Sequence, residues 1–223
     1  IACFSSKGPT SDSRIKPDVT APGSVITSAN AEYGNGNLWS GFSGTSQATP
    51  IVAGLSALIL QARNMTPEEV KALLMNTAID FGTFGKDNSY GAGRVNASKV
   101  FDEINNTVRN TIDNSGYKIH NIFVPSESKE IRVTLYWPEN YSLHNDVDLY
   151  LLDPAGNIRA SSLSIYNTDE IVKLSNLSPA GNWKLLINPF SVNVSQVYSL
   201  ASNFKPSEQM YLSVKNISNK VIY

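Results

Sequence analysis

The sequence predicts an α/β part followed by an all-β part, and three observations carry that reading. Eleven of the 14 glycines lie at or before Gly93, whereas eight of the ten tyrosines lie at or after Tyr117. Helical patterns and their start signals fall in the first hundred residues, while alternating apolar patterns fill the rest. Between them runs an Asn-rich stretch, Asn105 to Asn114, which places a boundary after residue 107 and gives units 1–107 and 108–223.

In the first unit, Lys7-Gly8-Pro9, Lys16-Pro17-Asp18 and Ala21-Pro22-Gly23 punctuate short extended pieces. A helix follows from about Ser46 to Ala62. Its proline, Pro50, is tolerated only near a helix start, so the helix is expected to begin at Ser46. A second helix opens at Thr66, with Pro67 at the first position and Glu69 completing a capping box, and runs to about Ala78. Gly91-Ala92-Gly93-Arg94-Val95-Asn96 reads as a turn and short strand before a short helix through Val100 and Phe101.

The second unit reads as strands. Ile131, Val133, Leu135 and Trp137 alternate with polar positions, and so do Val147, Leu149 and Leu151. Asp153-Pro154-Ala155-Gly156 and Ser178-Pro179-Ala180-Gly181 are turns. Ile171 to Leu177, Trp183 to Ile187, Val197 to Phe204 and Met210 to Ile217 complete the set. Short strands at this spacing suggest a β-sandwich or jelly roll.

Composition bounds the function. Of 223 residues 41% are apolar, enough for a core, and 18 Lys and Arg balance 19 Asp and Glu. A net charge of −1 removes nucleic acid and acidic membrane as expected partners. Polarity comes instead from 63 Asn, Ser and Thr residues, a surface common outside the cell. The single cysteine, Cys3, makes no internal disulfide and no multi-cysteine zinc site. The longest apolar stretch, Ile51 to Leu60, contains Gly54 and Ser56 and is too short to span a bilayer. Seven Asn-x-Ser/Thr sequons, at Asn64, Asn96, Asn105, Asn140, Asn176, Asn193 and Asn216, fit an exported glycoprotein. The chain lacks an initiator methionine and opens mid-pattern, so it reads as a fragment.

The segment that carries chemistry is Ser43-Gly44-Thr45-Ser46-Gln47-Ala48-Thr49-Pro50. Ser46 sits where a helix begins, just after a glycine turn. First-turn N–H groups have no partner inside the helix, and the helix dipole favours negative charge there. A nucleophile so placed has an oxyanion donor in its own N–H. Gly44 leaves room for a substrate backbone, and Ala48 and Gly54 allow close helix packing. The plain alternative is an N-cap serine. Ser43 is a rival nucleophile, but Gly41-Phe42-Ser43-Gly44-Thr45 lacks the second glycine of a nucleophile elbow.

Gly44-Thr45-Ser46-Gln47-Ala48-Thr49-Pro50 resembles the active-site serine motif of the subtilisin-like serine proteases, the subtilases (peptidase S8 family), with Gln47 where that family usually has methionine. Phe4-Ser5-Ser6-Lys7-Gly8-Pro9, Lys16-Pro17-Asp18-Val19-Thr20-Ala21-Pro22-Gly23 and Gly91-Ala92-Gly93-Arg94-Val95-Asn96 resemble further segments of the family, in its order. The resemblance implies a partial three-layer domain with a parallel sheet and a serine endopeptidase acting on polypeptides. Ser46 would be the acylated nucleophile of an Asp-His-Ser triad. Chain order in that family puts the Asp, the His and an oxyanion asparagine before Ile1, so residues 1–223 alone are expected to be inactive. His120 and His144 follow Ser46 and read as strand or surface residues. Asp18 is not the triad aspartate; it is expected to hold the loop around Pro17 and Pro22. The resemblance also leaves room for a propeptide and implies secretion. The competing function is a binding or adhesion module on a protease remnant, without catalysis.

The stretch from Asn145 to Asn157 resembles the β-sandwich accessory domains that follow some subtilase catalytic domains, of pre-peptidase or convertase type. Asn145, Asp146 and Asp148 put an amide and two carboxylates at a strand entry, which could hold a structural calcium ion. Asp153, about 17 Å further along an extended strand, is too far to join them. Otherwise Asp146 caps a turn and Asp148 faces water.

Overall fold

The computed structural model describes residues 1–31, 34, 36–139, 144–175 and 177–212. It contains a mixed α/β first part and two antiparallel sheets. The first part carries a hairpin, β1 (Ile26–Ala29) and β2 (Trp39–Phe42), then α1 (Thr45–Ala62), α2 (Pro67–Thr77) and α3 (Ala97–Glu103). α2 starts at the expected box: Thr66 Oγ1 accepts the Glu69 N–H and Glu69 Oε2 accepts the Thr66 N–H. Asn96 Oδ1 caps α3 by accepting the Lys99 N–H.

α1 begins at Thr45, within one residue of the expected start, and Pro50 lies in its second turn. Its missing N–H leaves the Ser46 carbonyl without a helix partner, a cost confined to the helix start. The expected parallel sheet is not found among the described residues, which show one parallel bridge, Thr20 with Arg94. Among the described residues no strand layer lies across α1, which buries only Leu55 and Ile59, while Leu58 and Leu60 are exposed.

Among the described residues nine strands make the second part: β3 (Thr107–Ile112), β4 (Tyr117–Val124), β5 (Glu130–Tyr136), β6 (Asp146–Leu152), β7 (Ile158–Ser162), β8 (Asp169–Ser175), β9 (Gly181–Ser191), β10 (Gln196–Ser202) and β11 (Ser207–Leu212). The last strand expected from sequence extends to residue 217, and 213–217 lie outside the described residues. The strands form one sheet in the order β3-β10-β5-β8 and another in the order β11-β4-β9-β6-β7. A single core fills the space between them, with Ile131, Val133 and Leu135 of β5 meeting Val147, Leu149 and Leu151 of β6 and Trp183 of β9.

Period-two alternation sends the other face of β5 and β8 to α2. There Arg132 donates to Glu103 Oε1 at 2.6 Å and to the Asn76 carbonyl at 2.5 Å, and Asn76 Nδ2 donates to Glu103 Oε2 at 3.1 Å. Ile171 packs on Met75, Ala78 and Ala92. Lys86 pairs with Asp169 at 2.5 Å and Lys173 with Asp80 at 2.7 Å. The two parts therefore share a buried, largely polar seam.

Candidate functional site

Ser46 is the second residue of α1 and is exposed. No acidic residue occupies the first turn of α1, and Gly44, the N-cap, offers its N–H groups no side-chain acceptor. The dipole at this helix end, which no side chain caps, is thus available to an oxyanion.

Three sequence motifs meet here. The Gly44 N–H donates to the Gly23 carbonyl at 2.7 Å, and the Val25 N–H donates to Ser43 Oγ at 2.8 Å. A Cβ on Gly23 would stand 2.7 Å from the Gly44 carbonyl oxygen and 3.3 Å from Ala48 Cβ, so the turn after Pro22 and the helix start are fitted to each other. Behind them, the Ala92 N–H donates to the Asp18 carbonyl, Thr20 N–H to Gly93 and Val95 N–H to Thr20, at 2.8 to 2.9 Å. Gly91 and Gly93 have φ of +62° and +124°, and a Cβ on either would collide with the backbone of Pro17 and Asp18 or of Ile79. Only glycine allows that approach. The Gly91-to-Asn96 segment therefore braces the Lys16-to-Gly23 segment, which in turn braces the turn before Ser46.

Asp18 is the electrostatic anchor of that brace. Its carboxylate meets Lys16 at 2.6 Å, Lys71 at 2.9 Å and Lys86 at 3.4 Å. Burial works against its charge, but Lys71, Lys86 and the Lys16 bond outweigh it and hold the carboxyl well below the usual range. An open cavity of about 1020 Å³ runs along Gly23, Gly44, Thr45, Ala48 and Val52. At Gly54 no described atom lies within 4 Å of an added Cβ.

Both histidines lie in the second part. His120 is buried, with Nε2 2.8 Å from Tyr198 Oη. His144 Nδ1 meets Glu139 Oε2 at 2.9 Å and Nε2 meets the Ile165 carbonyl at 2.7 Å. Two acceptors require two ring N–H groups, hence a cation. Burial opposes that charge, but these partners raise the pKa.

At the strand entry of β6, Asn145 is already engaged. Its Nδ2 donates to Gln196 Oε1 at 2.7 Å and its Oδ1 accepts the Asn193 N–H at 3.0 Å. Asp146 is 6% exposed with Oδ1 unpaired, and Asp148 Oδ2 accepts from Tyr150 and Asn188 at 3.2 Å. Burial, and for Asp146 also the Asp148 charge, raises both pKa values. Among the described residues no three His, Cys, Asp or Glu side chains converge on one point. Asp153 instead closes its turn by accepting the Ala155 and Asn157 N–H groups.

Sequence reasoning passed over Glu170. It is 1% exposed and faces the core from β8, opposite Leu135. Ser162 Oγ and the Ser164 N–H donate to it. The signal was present, because an Asp-Glu pair at a strand start must send one carboxyl inward.

Residues 1–93 match the subtilase family of peptidases. Serine protease AprX of Bacillus subtilis is 44% identical over 108 residues, covering 44% of this chain and 24% of that protein. Minor extracellular protease Vpr of Bacillus subtilis is 40% identical over 105 residues, covering 42% of this chain and 12% of its own length. Among solved structures, fervidolysin from Fervidobacterium pennivorans, a keratinolytic enzyme related to subtilisin, aligns over 83% of this chain and 43% of its own, with 15% identity and a TM-score of 0.34. The chain thus spans about a quarter or less of these curated relatives. At family level the match supports a serine peptidase.

Proposed function

We propose that this chain carries the nucleophile portion of a secreted subtilisin-like serine endopeptidase. The observation that supports it best is the convergence of three motifs on the exposed start of α1. In this reading Ser46 Oγ attacks the peptide carbonyl, and the Ser46 N–H donates one hydrogen bond to the developing oxyanion. The base, its orienting aspartate and the second oxyanion donor come from upstream sequence, in keeping with a match that covers 24% of AprX. The same upstream sequence, with any propeptide, fills the cavity beside α1 and covers Leu58 and Leu60. Residues 1–223 alone are inactive.

Residues 108–223 act as an accessory β-sandwich. The strand orders β3-β10-β5-β8 and β4-β9-β6-β7 support a jelly roll, with β11 added at one edge. It stabilises the peptidase part or contacts substrate. A structural calcium ion fits Asp146 and Asp148, since a buried unpaired carboxylate oxygen beside a second carboxylate wants a cation. Asn145 Oδ1 keeps one lone pair for it. Calcium should raise the melting temperature of the chain relative to EGTA; no shift and no heat of binding would remove the ion from this reading.

The test of the peptidase reading uses the longer polypeptide that carries the upstream residues. A fluorophosphonate should label Ser46 there, and Ser46→Ala should lose labelling and several orders of magnitude in turnover while folding normally. Labelling at another residue, or full activity in the variant, would favour the binding-module reading.

A further inference from the structure

Val25 lies between the Gly23 turn and β1, and its φ of +51° puts a β-branched residue in the left-handed region. That conformation is a genuine outlier for valine. Packing does not hold it there, because the side chain is 74% exposed. The hold comes from hydrogen bonds: the Val25 N–H to Ser43 Oγ at 2.8 Å, flanked by the Gly44 N–H to the Gly23 carbonyl at 2.7 Å. One residue further on, Ile26 pairs with Phe42 in the hairpin. Ser43 is thus the side chain at which the hairpin ends and the chain turns into α1, three residues before Ser46.

We propose that Ser43 is a positioning residue for Ser46, acting through the strained Val25 backbone. This rests on the reading of Ser46 as the nucleophile. The Ser43 hydroxyl keeps Val25 left-handed and so fixes Gly44 and Thr45. Those two residues set the direction of the Ser46 Oγ and N–H. Strain of this kind persists where surrounding bonds over-determine it, and it concentrates at functional sites. Acyl transfer is sensitive to such placement, since a shift of about 1 Å costs on the order of 100-fold in rate. Ser43 itself touches neither the substrate nor the reacting atoms.

The experiment measures the fluorophosphonate labelling rate of Ser46, and kcat and KM on a peptide substrate, in the longer polypeptide. Ser43→Ala should lower the labelling rate and kcat by about tenfold or more, with KM within about twofold. Ser43 is exposed, so the variant should fold, which circular dichroism checks. Ser43→Thr keeps the hydroxyl and should return both to within about threefold of the parent. Adding Val25→Gly to Ser43→Ala should also recover most of the loss, because glycine adopts this φ without strain. A Ser43→Ala variant with parental labelling, a loss carried by KM, or no recovery in the other two variants overturns the positioning role while leaving Ser46 as nucleophile. Absence of Ser46 labelling in the parent overturns both.

Discussion

Glu170 sets a pH dependence that nothing at Ser46 would suggest. Burial pushes its pKa up to about 8, against the opposing bonds from Ser162 and Ser164 and with help from the charges of Asp169 and Asp148. The folded state therefore favours the protonated acid, whereas an unfolded glutamate ionises near pH 4.5. Stability from this site is complete below that value and is lost as pH rises through about 8. The loss is on the order of a few kcal/mol. Glu170→Gln keeps an acceptor for the Ser164 N–H and removes the ionisation. Its melting temperature should change little between pH 5 and 8.5, while that of the parent falls. Parallel melting curves for the two proteins would show that Glu170 ionises freely.

Among the elements, α1 is at odds with its surroundings. It is 18 residues long, yet it buries two side chains. Gly54 sits in its middle with open space around an added Cβ. In this chain Gly54→Ala should gain helix propensity, about 1 kcal/mol, or a rise of some 2–4 °C in melting temperature. In the longer polypeptide the sign should reverse, because the methyl group meets whatever covers the helix. A gain in both settings would mean that α1 stays uncovered at Gly54. α1 and α2 were legible in sequence because their signals are local: a proline near the helix start and a capping box. The motif likewise singled out Ser46, which lies at the start of α1. Less legible were the elements fixed by distant partners. β3 lies within the Asn-rich stretch read as a boundary, and it is a strand because β10 pairs with it from Thr107 to Ile112. The parallel sheet was expected from resemblance, and the described residues do not supply strands for it. Asn145 was legible as a polar residue beside Asp146, but not the partners that its amide ties to β6, Gln196 and Asn193, some fifty residues away.

The whole molecule is joined by its polar seam, and that seam determines how it unfolds. Arg132 is 5% exposed and Glu103 8%, so the pair has exchanged water for each other and for Asn76. Burial pushes the Glu103 pKa up despite the guanidinium beside it, so desolvation outweighs the attraction. Such a pair adds little net stability, yet removing one partner strands the other. Arg132→Ala should therefore cost about 3–5 kcal/mol. Arg132→Met combined with Glu103→Gln should cost less, because no charge is left buried alone. The seam joins α2 and α3 to β5, so the loss should not stay in one part. Urea unfolding followed by helical circular dichroism reports the first part, and fluorescence of the buried Trp137 and Trp183 reports the second. In the parent the two curves should coincide, the mark of one cooperative unit. In Arg132→Ala both midpoints should move down together. If only one curve moves, or if the double variant is as unstable as the single, the two parts fold independently and the seam is a contact of convenience between them.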